Sequence, residues 1–202
     1  MLTARQPIER VTLRGIRVLL EPLDRKHRPG IRAAIEDGDL SSIPVTVVPR
    51  PDDLEAFFEQ AESRYESQLE RQFATIDLET GTIVGSTRFM NIDREHRRVE
   101  IGFTFIARSW QRTHINTEAK YLMLRHAFEN WGCTRVQFLT DALNVRSRQA
   151  IQRIGAKEEG ILRNHMIMRD GRLRHSAIYS VIADEWPDVK KALEQRVGIA
   201  GE

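Results

Sequence analysis

One cysteine, Cys133, stands in 202 residues. An intramolecular disulfide therefore cannot form, and neither can a zinc site built on cysteines. No apolar run approaches ~18 residues, which excludes a transmembrane helix. The opening residues M-L-T-A-R-Q-P-I-E-R lack the apolar stretch of a signal peptide, so the cytosol is the expected compartment. A charge excess is missing too: 31 Lys and Arg face 29 Asp and Glu, for a net charge of +2. Clusters such as Arg94–Arg98 read as solvated surface, and nucleic acid is not an expected partner. Repeats and low-complexity tracts are absent. What remains, 41% hydrophobic and 30% charged residues, suits one buried core and a single domain over residues 1–202. Within it, residues 1–10 are expected to be flexible and 184–197 to form a C-terminal helix.

Periodicity and turn chemistry divide the chain. Val11–Leu20 reads as a strand closed by Glu21-Pro22. Asp24 caps a helix to Glu36, ended by Gly38. Ser41–Pro49 is an extended loop, and Asp52–Arg71 carries a helical period with an acidic first turn. Phe73–Leu78 and Ile83–Asn91 form a hairpin around Glu79-Thr80-Gly81. In Val99–Ile106, strict alternation puts Val99, Ile101, Phe103 and Phe105 on one side. Glu100, Gly102 and Thr104 then face the other, with Gly102 marking a bulge or a close approach. Thr117–Trp131 is a helix apolar over a wide arc. Arg135–Asp141 is a strand, and Asn144–Ile154 a helix capped by Asn144 and closed by Gly155. Lys157–Met168 and Arg172–Ile182 flank Asp170-Gly171, a two-residue hairpin signal that sets Met166 opposite His175. The order indicates a mixed α/β (α+β) fold around a central twisted sheet of about six or seven strands.

Between Trp110 and Arg163 a polar loop opens onto a helix, then comes a strand, and a second helix starts where that strand ends. Such an arrangement gathers two helix N-termini and the ends of two strands around one crevice, a place that favours anions. Within and around it stand E-I-G-F (100–103), the loop Gln111–Asn116, T-E-A (117–119), H-A-F-E (126–129), N-x-x-S (144–147), I-G-A (154–156) and E-G-x-L-R (159–163). With L-R-G-x-x-V-x-L-E-P-L (13–23), Y-S (179–180) and E-W (185–186), these ordered pieces resemble the GNAT superfamily of N-acetyltransferases. Within it, the likeness is to the ribosomal-protein-N-acetyltransferase-like branch. Each piece alone is weakly specific; their order and spacing over nearly the whole chain is specific.

The resemblance implies a mostly antiparallel sheet, splayed where acetyl-CoA binds as co-substrate. It assigns the pyrophosphate to the loop of Gln111, Arg112, Thr113, His114, Ile115 and Asn116, and gives Ile106 and Asn144 to the cofactor as well. Gln111 matches the family loop Q/R-x-x-G-x-G/A, whereas His114 and Asn116 stand where small residues are usual. Asn and His tolerate positive φ, so the backbone path stays open to them. Ser147 is implied near the thioester sulfur, able to hydrogen-bond the departing thiolate, because the tyrosine that relatives carry four residues later is here Ile151. As a simple structural element, Ser147 is instead the third residue of a capped helix turn.

For the base, Glu100 lies beside the implied acetyl site; its alternative is a cross-strand pair with Arg88. His175 is a second titratable candidate, better read as a hairpin histidine. Glu118 suits the helix dipole, His126 reads as structural, and Cys133 has no histidine to activate it. The reaction expected is direct acetyl transfer to a primary amine without metal or covalent enzyme intermediate. At pH 7 an α-amine of pKa ~8 is about 10% neutral and a lysine about 0.04%, which inclines the acceptor toward a protein N-terminus. A small-molecule amine and a non-catalytic acyl-CoA-binding role are the alternatives. A homodimer is possible.

Overall fold

The computed structural model describes residues 8–199. Residues 1–7, most of the segment expected to be flexible, lie outside the described residues. Eight strands form one sheet in the order β1-β2-β3-β4-β5-β6-β8-β7. They are β1 (Leu13–Arg14), β2 (Val18–Pro22), β3 (Arg71–Asp77), β4 (Ile83–Asp93), β5 (Arg98–Ile106), β6 (Arg135–Asp141), β7 (Lys157–Ile167) and β8 (Leu173–Ile182). Every neighbouring pair is antiparallel except β5–β6, which is parallel.

The helices are α1 (Arg28–Glu36), α2 (Leu54–Glu66), α3 (His114–Arg125), α4 (Val145–Ile154) and α5 (Trp186–Val197). The larger core joins α3, α4 and α5 to one sheet face through Phe73, Phe89, Ile101, Phe138 and Tyr179. A smaller core under α1 and α2 takes Ile31, Ile35, Leu54, Phe58 and Phe105. The C-terminal helix is amphipathic, with Trp186, Val189, Leu193 and Val197 buried, and Tyr121 on α3 donates to Glu194 at 2.9 Å.

Four sequence expectations change. The first strand folds back on itself as β1 and β2, which makes eight strands where about six or seven were expected. The turn between them is held from outside: the Glu118 carboxylate accepts the N–H groups of Ile16 (2.5 Å) and Arg17 (3.0 Å). A Cβ on Gly15 would collide with Glu118 Oε1, so the close approach requires glycine there. Glu118, fully buried, thus ties two elements together rather than answering a helix dipole.

Second, β5 does not alternate throughout. Ser86 pairs with Phe105 and Arg88 with Gly102, so Thr87 faces both Phe103 and Thr104. Phe103 takes a left-handed φ of 47°. This one-residue bulge inverts the parity of the residues beyond it. Ile101 stays in the larger core while Phe105 turns to the smaller one, and Thr104 turns toward α3, 2.7 Å from Lys120 Nζ. Gly102 sits just before the bulge, as its presence in a strand suggested.

Third, α3 begins at His114, three residues before the expected start, with Thr113 as its N-cap; it ends in a π-helical turn over His126–Asn130. Fourth, the β7–β8 hairpin turns through three residues. Gly171 at φ 81° donates to the Met168 carbonyl, and Met168 N–H bonds Arg172 O at 2.9 Å. Glycine in the left-handed region closes such a three-residue loop, and the register moves by one: Met166 opposes Arg174, not His175.

Candidate active site

The sheet opens between β5 and β6. They pair at Arg98↔Arg135, Val99↔Val136 and Glu100↔Gln137, and share no further pair. From Ile101 onward the inner edge of β5 faces a gap, because β6 continues alongside β8 to Asp141↔Ser176. The N-termini of α3 and α4 stand at this gap, each at the end of a strand that borders it.

At α3 the Thr113 hydroxyl accepts the Ile115 N–H at 3.4 Å. The other N–H groups of the first helical turn have no carbonyl behind them within the helix. His114 and Asn116 are helical here, so neither needs positive φ. The left-handed residue of the loop is Arg112, at φ 64°. The His114 ring does not point to the helix end either: Nε2 lies 3.1 Å from Asp77 Oδ1 on β3. Gln111 folds back, donating to the Ile106 carbonyl at 2.9 Å. The loop therefore presents backbone, with two of its polar side chains committed elsewhere.

At α4, Asn144 Oδ1 accepts the Ser147 N–H at 3.0 Å, the capping bond expected, while its Nδ2 donates to the Val45 carbonyl at 3.4 Å. The Ser147 hydroxyl has no partner among the described residues and is half-buried. Ile151, expected by resemblance to stand at the place of a tyrosine, packs into the larger core at 8% exposure. Arg172 on the β7–β8 loop bonds both Asp141 (2.5 Å) and the Pro44 carbonyl (3.3 Å). Asn144 and Arg172 thus hold segment 43–49 to the β6–β8 side of the gap, while Val48 packs with Phe105 of β5 in the smaller core.

Glu100, at the vertex, is 7% exposed. It is not paired with Arg88. That guanidinium meets Glu70 at 2.7 Å and lies over the Phe103 ring at 3.6 Å. Glu100 instead accepts from Asn91 Nδ2 at 2.9 Å and bonds the Gln137 side chain. Burial raises its pKa above the ordinary carboxylate range, against the pull of those two bonds and the charges of Arg174 and Arg88. His175 is exposed, and its Nδ1 accepts the Asn164 N–H at 2.9 Å. His126 lies among Phe89 and Trp131, burial pushing its pKa down to about 4, and Cys133 is pushed up to about 12.

Two cations escaped the sequence reading. Lys120, buried within α3, donates to Thr87 (2.9 Å) and Thr104 (2.7 Å) with no carboxylate beside it, and burial alone lowers its pKa to about 7. Arg174 on β8 is buried at 7% exposure. Neither breaks a hydrophobic pattern in a way that marks it as unusual. A cleft between α2 and β2–β3, lined by Phe58, Tyr65, Arg71 and Phe73, contains none of the expected site residues. Among the described residues no cluster of His, Cys, Asp and Glu could hold a metal ion, and no helix is long and apolar enough to cross a membrane.

A split mixed sheet with two helix N-termini at its opening defines a class: an α/β protein whose sheet parts at a place that favours anions. Residues 17–157 match the acetyltransferase (GNAT) domain, and the chain belongs to that family. It is similar to YdaF of Bacillus subtilis, provisionally named a ribosomal N-acetyltransferase, at 30% identity over 59% of this chain and 68% of the relative. The crystal structure of a GCN5-related N-acetyltransferase from Brucella melitensis superposes with a TM-score of 0.83 at 29% identity, covering 95% of this chain and 87% of that one. Mycobacterium smegmatis RimJ, solved with CoA-disulfide, shares the fold at 19% identity and a TM-score of 0.77, over 93% and 91% of the chains. The chain is an acetyl-CoA-dependent N-acetyltransferase, among relatives of the ribosomal-protein-acetyltransferase-like branch.

Proposed function

We propose that the gap between β5 and β6 receives acetyl-CoA and that the acetyl group passes directly to a primary amine, a protein N-terminal α-amine in preference to lysine. The carrying observation is the unpaired inner edge of β5 from Ile101, placed between two helix N-termini. Acetyl-CoA fits these residues. Its pyrophosphate finds the free N–H groups and positive dipole end of α3, at Arg112, Thr113, His114 and Asn116. Its pantetheine chain finds the open β5 edge and Asn144. When bound, it supplies an activated acyl group on a thiol leaving group.

The chain's own residues then divide the work. The β5 edge offers backbone N–H donors to the carbonyl oxygen as negative charge grows on it. Glu100, buried and held by Asn91 and Gln137, takes up the proton the acceptor ammonium must lose. Its raised pKa brings the carboxylate closer to the working pH of a general base. The Ser147 hydroxyl, unpartnered at the α4 N-terminus, donates to the departing thiolate. The strap over 43–49 narrows the opening on the acceptor side.

Thermal unfolding with and without millimolar acetyl-CoA, and then CoA-thiol release with peptides and small amines, tests the reading. A rise in Tm and thiol release fastest with unblocked peptide N-termini are expected; no shift in Tm would overturn it. Release with small amines alone would favour a small-molecule acceptor. Glu100→Gln should lower kcat/KM by roughly 10²–10⁴ and remove the acid limb of the pH profile. That limb has a fixed sign, because the active carboxylate is lost as pH falls through the raised pKa.

A further inference from the structure

Three arginines among the described residues are buried: Arg71, Arg88 and Arg174. Arg71 donates to the carbonyls of Ile8, Tyr65 and Glu70. Arg88 is paired with Glu70. The Arg174 side chain has no hydrogen bond and no ion pair among the described residues, and its Nε is fully buried without a partner. Nε is shut off from water with nothing to donate to, and a buried donor left without a partner is costly. Such a group persists in a fold where something else completes it.

The register places Arg174 on a definite surface. Along β8, Tyr179 and Ala177 face the larger core, so Arg174, Ser176 and Ser180 share the opposite face. Ser180 pairs with Gln137, and Gln137 with Glu100; Ser176 pairs with Asp141. Arg174 therefore stands on the same face as Glu100, beyond the end of β6 and beside the strap that Arg172 ties to Pro44. The charges of Asp141 and Glu100 both act on Arg174. Neither approaches within bonding distance.

We infer that Arg174 is a specificity residue whose guanidinium receives an oxygen of the carbonyl or carboxylate group borne by the carbon that carries the acceptor amine. This rests on the acetyl-transfer reading above and deepens it. An α-amino acyl head carries a cationic nitrogen and an oxygen acceptor on adjacent carbons. Glu100 draws the first and Arg174 the second, which orients the head within the gap. The planar fork of arginine suits both a carboxylate and a peptide carbonyl. A free amino acid and the first residue of a polypeptide share this chemistry; an alkylamine and the side-chain amine of lysine lack it.

Alanine, alaninamide and isopropylamine separate these cases. Thiol release is measured for each with wild type, Arg174→Met and Arg174→Lys, alongside the KM for acetyl-CoA. In Arg174→Met the ratio of kcat/KM for alaninamide or alanine over that for isopropylamine should fall about tenfold to a hundredfold, the usual cost of a charge-assisted hydrogen bond. Arg174→Lys should restore part of it. Loss confined to alanine identifies a carboxylate, and loss confined to alaninamide a peptide carbonyl; either supports the assignment. Equal losses for all three amines, or a matching rise in the KM for acetyl-CoA, would show a structural role and overturn it. Should no amine release thiol, the acetyl-transfer reading fails, and binding decides: alaninamide must raise the Tm of wild type more than that of Arg174→Met. Equal shifts would overturn the assignment on their own.

Discussion

Lys120 shows what burial does to a single side chain. Its amine lies between Thr87 and Thr104, which also bond each other at 2.8 Å, and no charged group stabilises its protonated form. The folded state holds its proton only below about pH 7, whereas the unfolded chain holds one up to the ordinary lysine value of 10.5. Between those values the unfolded state binds more protons, so stability rises with pH across that window. Replacing the group by Lys120→Met should raise Tm at pH 7 and flatten the rise, an effect of the order of a few kcal/mol. Urea unfolding of both proteins from pH 6 to 10 would show it, and parallel curves would refute it. Glu100 was legible in the sequence because it alternates with apolar residues on a strand. Lys120 and Arg174 were not, since a cation that turns inward looks the same in a sequence as one that turns out.

At the scale of elements, the interior of each helix and strand was readable and the joints were not. Periodicity and turn chemistry placed β3 to β8 and all five helices, although the C-terminal helix, read as polar, buries Trp186, Val189, Leu193 and Val197. What they could not place was set by contacts across the chain: the β1–β2 turn by Glu118, about a hundred residues away, and the β5 face change by one extra residue at Phe103. The β7–β8 loop shows a third source, because Asp-Gly chemistry permits loops of two or three residues and only the backbone decides. Gly15 gives this level its test. Gly15→Ala would push a methyl group into the Glu118 carboxylate and loosen both N–H bonds it accepts. The expected loss is about 1–3 kcal/mol, read as a lower urea midpoint with unchanged slope. A neutral substitution would mean that the turn has room to shift.

At the scale of the molecule, the strap and the gap belong together. Arg172 links the β7–β8 loop to Pro44, and Asn144 links α4 to Val45, both on the β6–β8 side of the split; Val48 packs with Phe105 of β5 in the smaller core, so segment 43–49 spans from one side to the other. Arg172→Ala should speed hydrogen exchange of the amides of Thr46–Val48 and raise the KM for acceptors more than that for acetyl-CoA. Unchanged exchange would show that the segment is held by its own packing, through Val48 and Leu40 in the smaller core. The sheet itself is two leaves sewn by a seam of three residue pairs, Arg98 to Glu100 against Arg135 to Gln137. Among the described residues nothing else within the sheet joins the leaves, so it is the larger core, packing Phe89 and Ile101 with Phe138 and Tyr179 under the helices, that keeps them together. If acetyl transfer takes place in this gap, as proposed, the tether at the open end sets how large an acceptor enters, and a polypeptide chain would need that tether to yield.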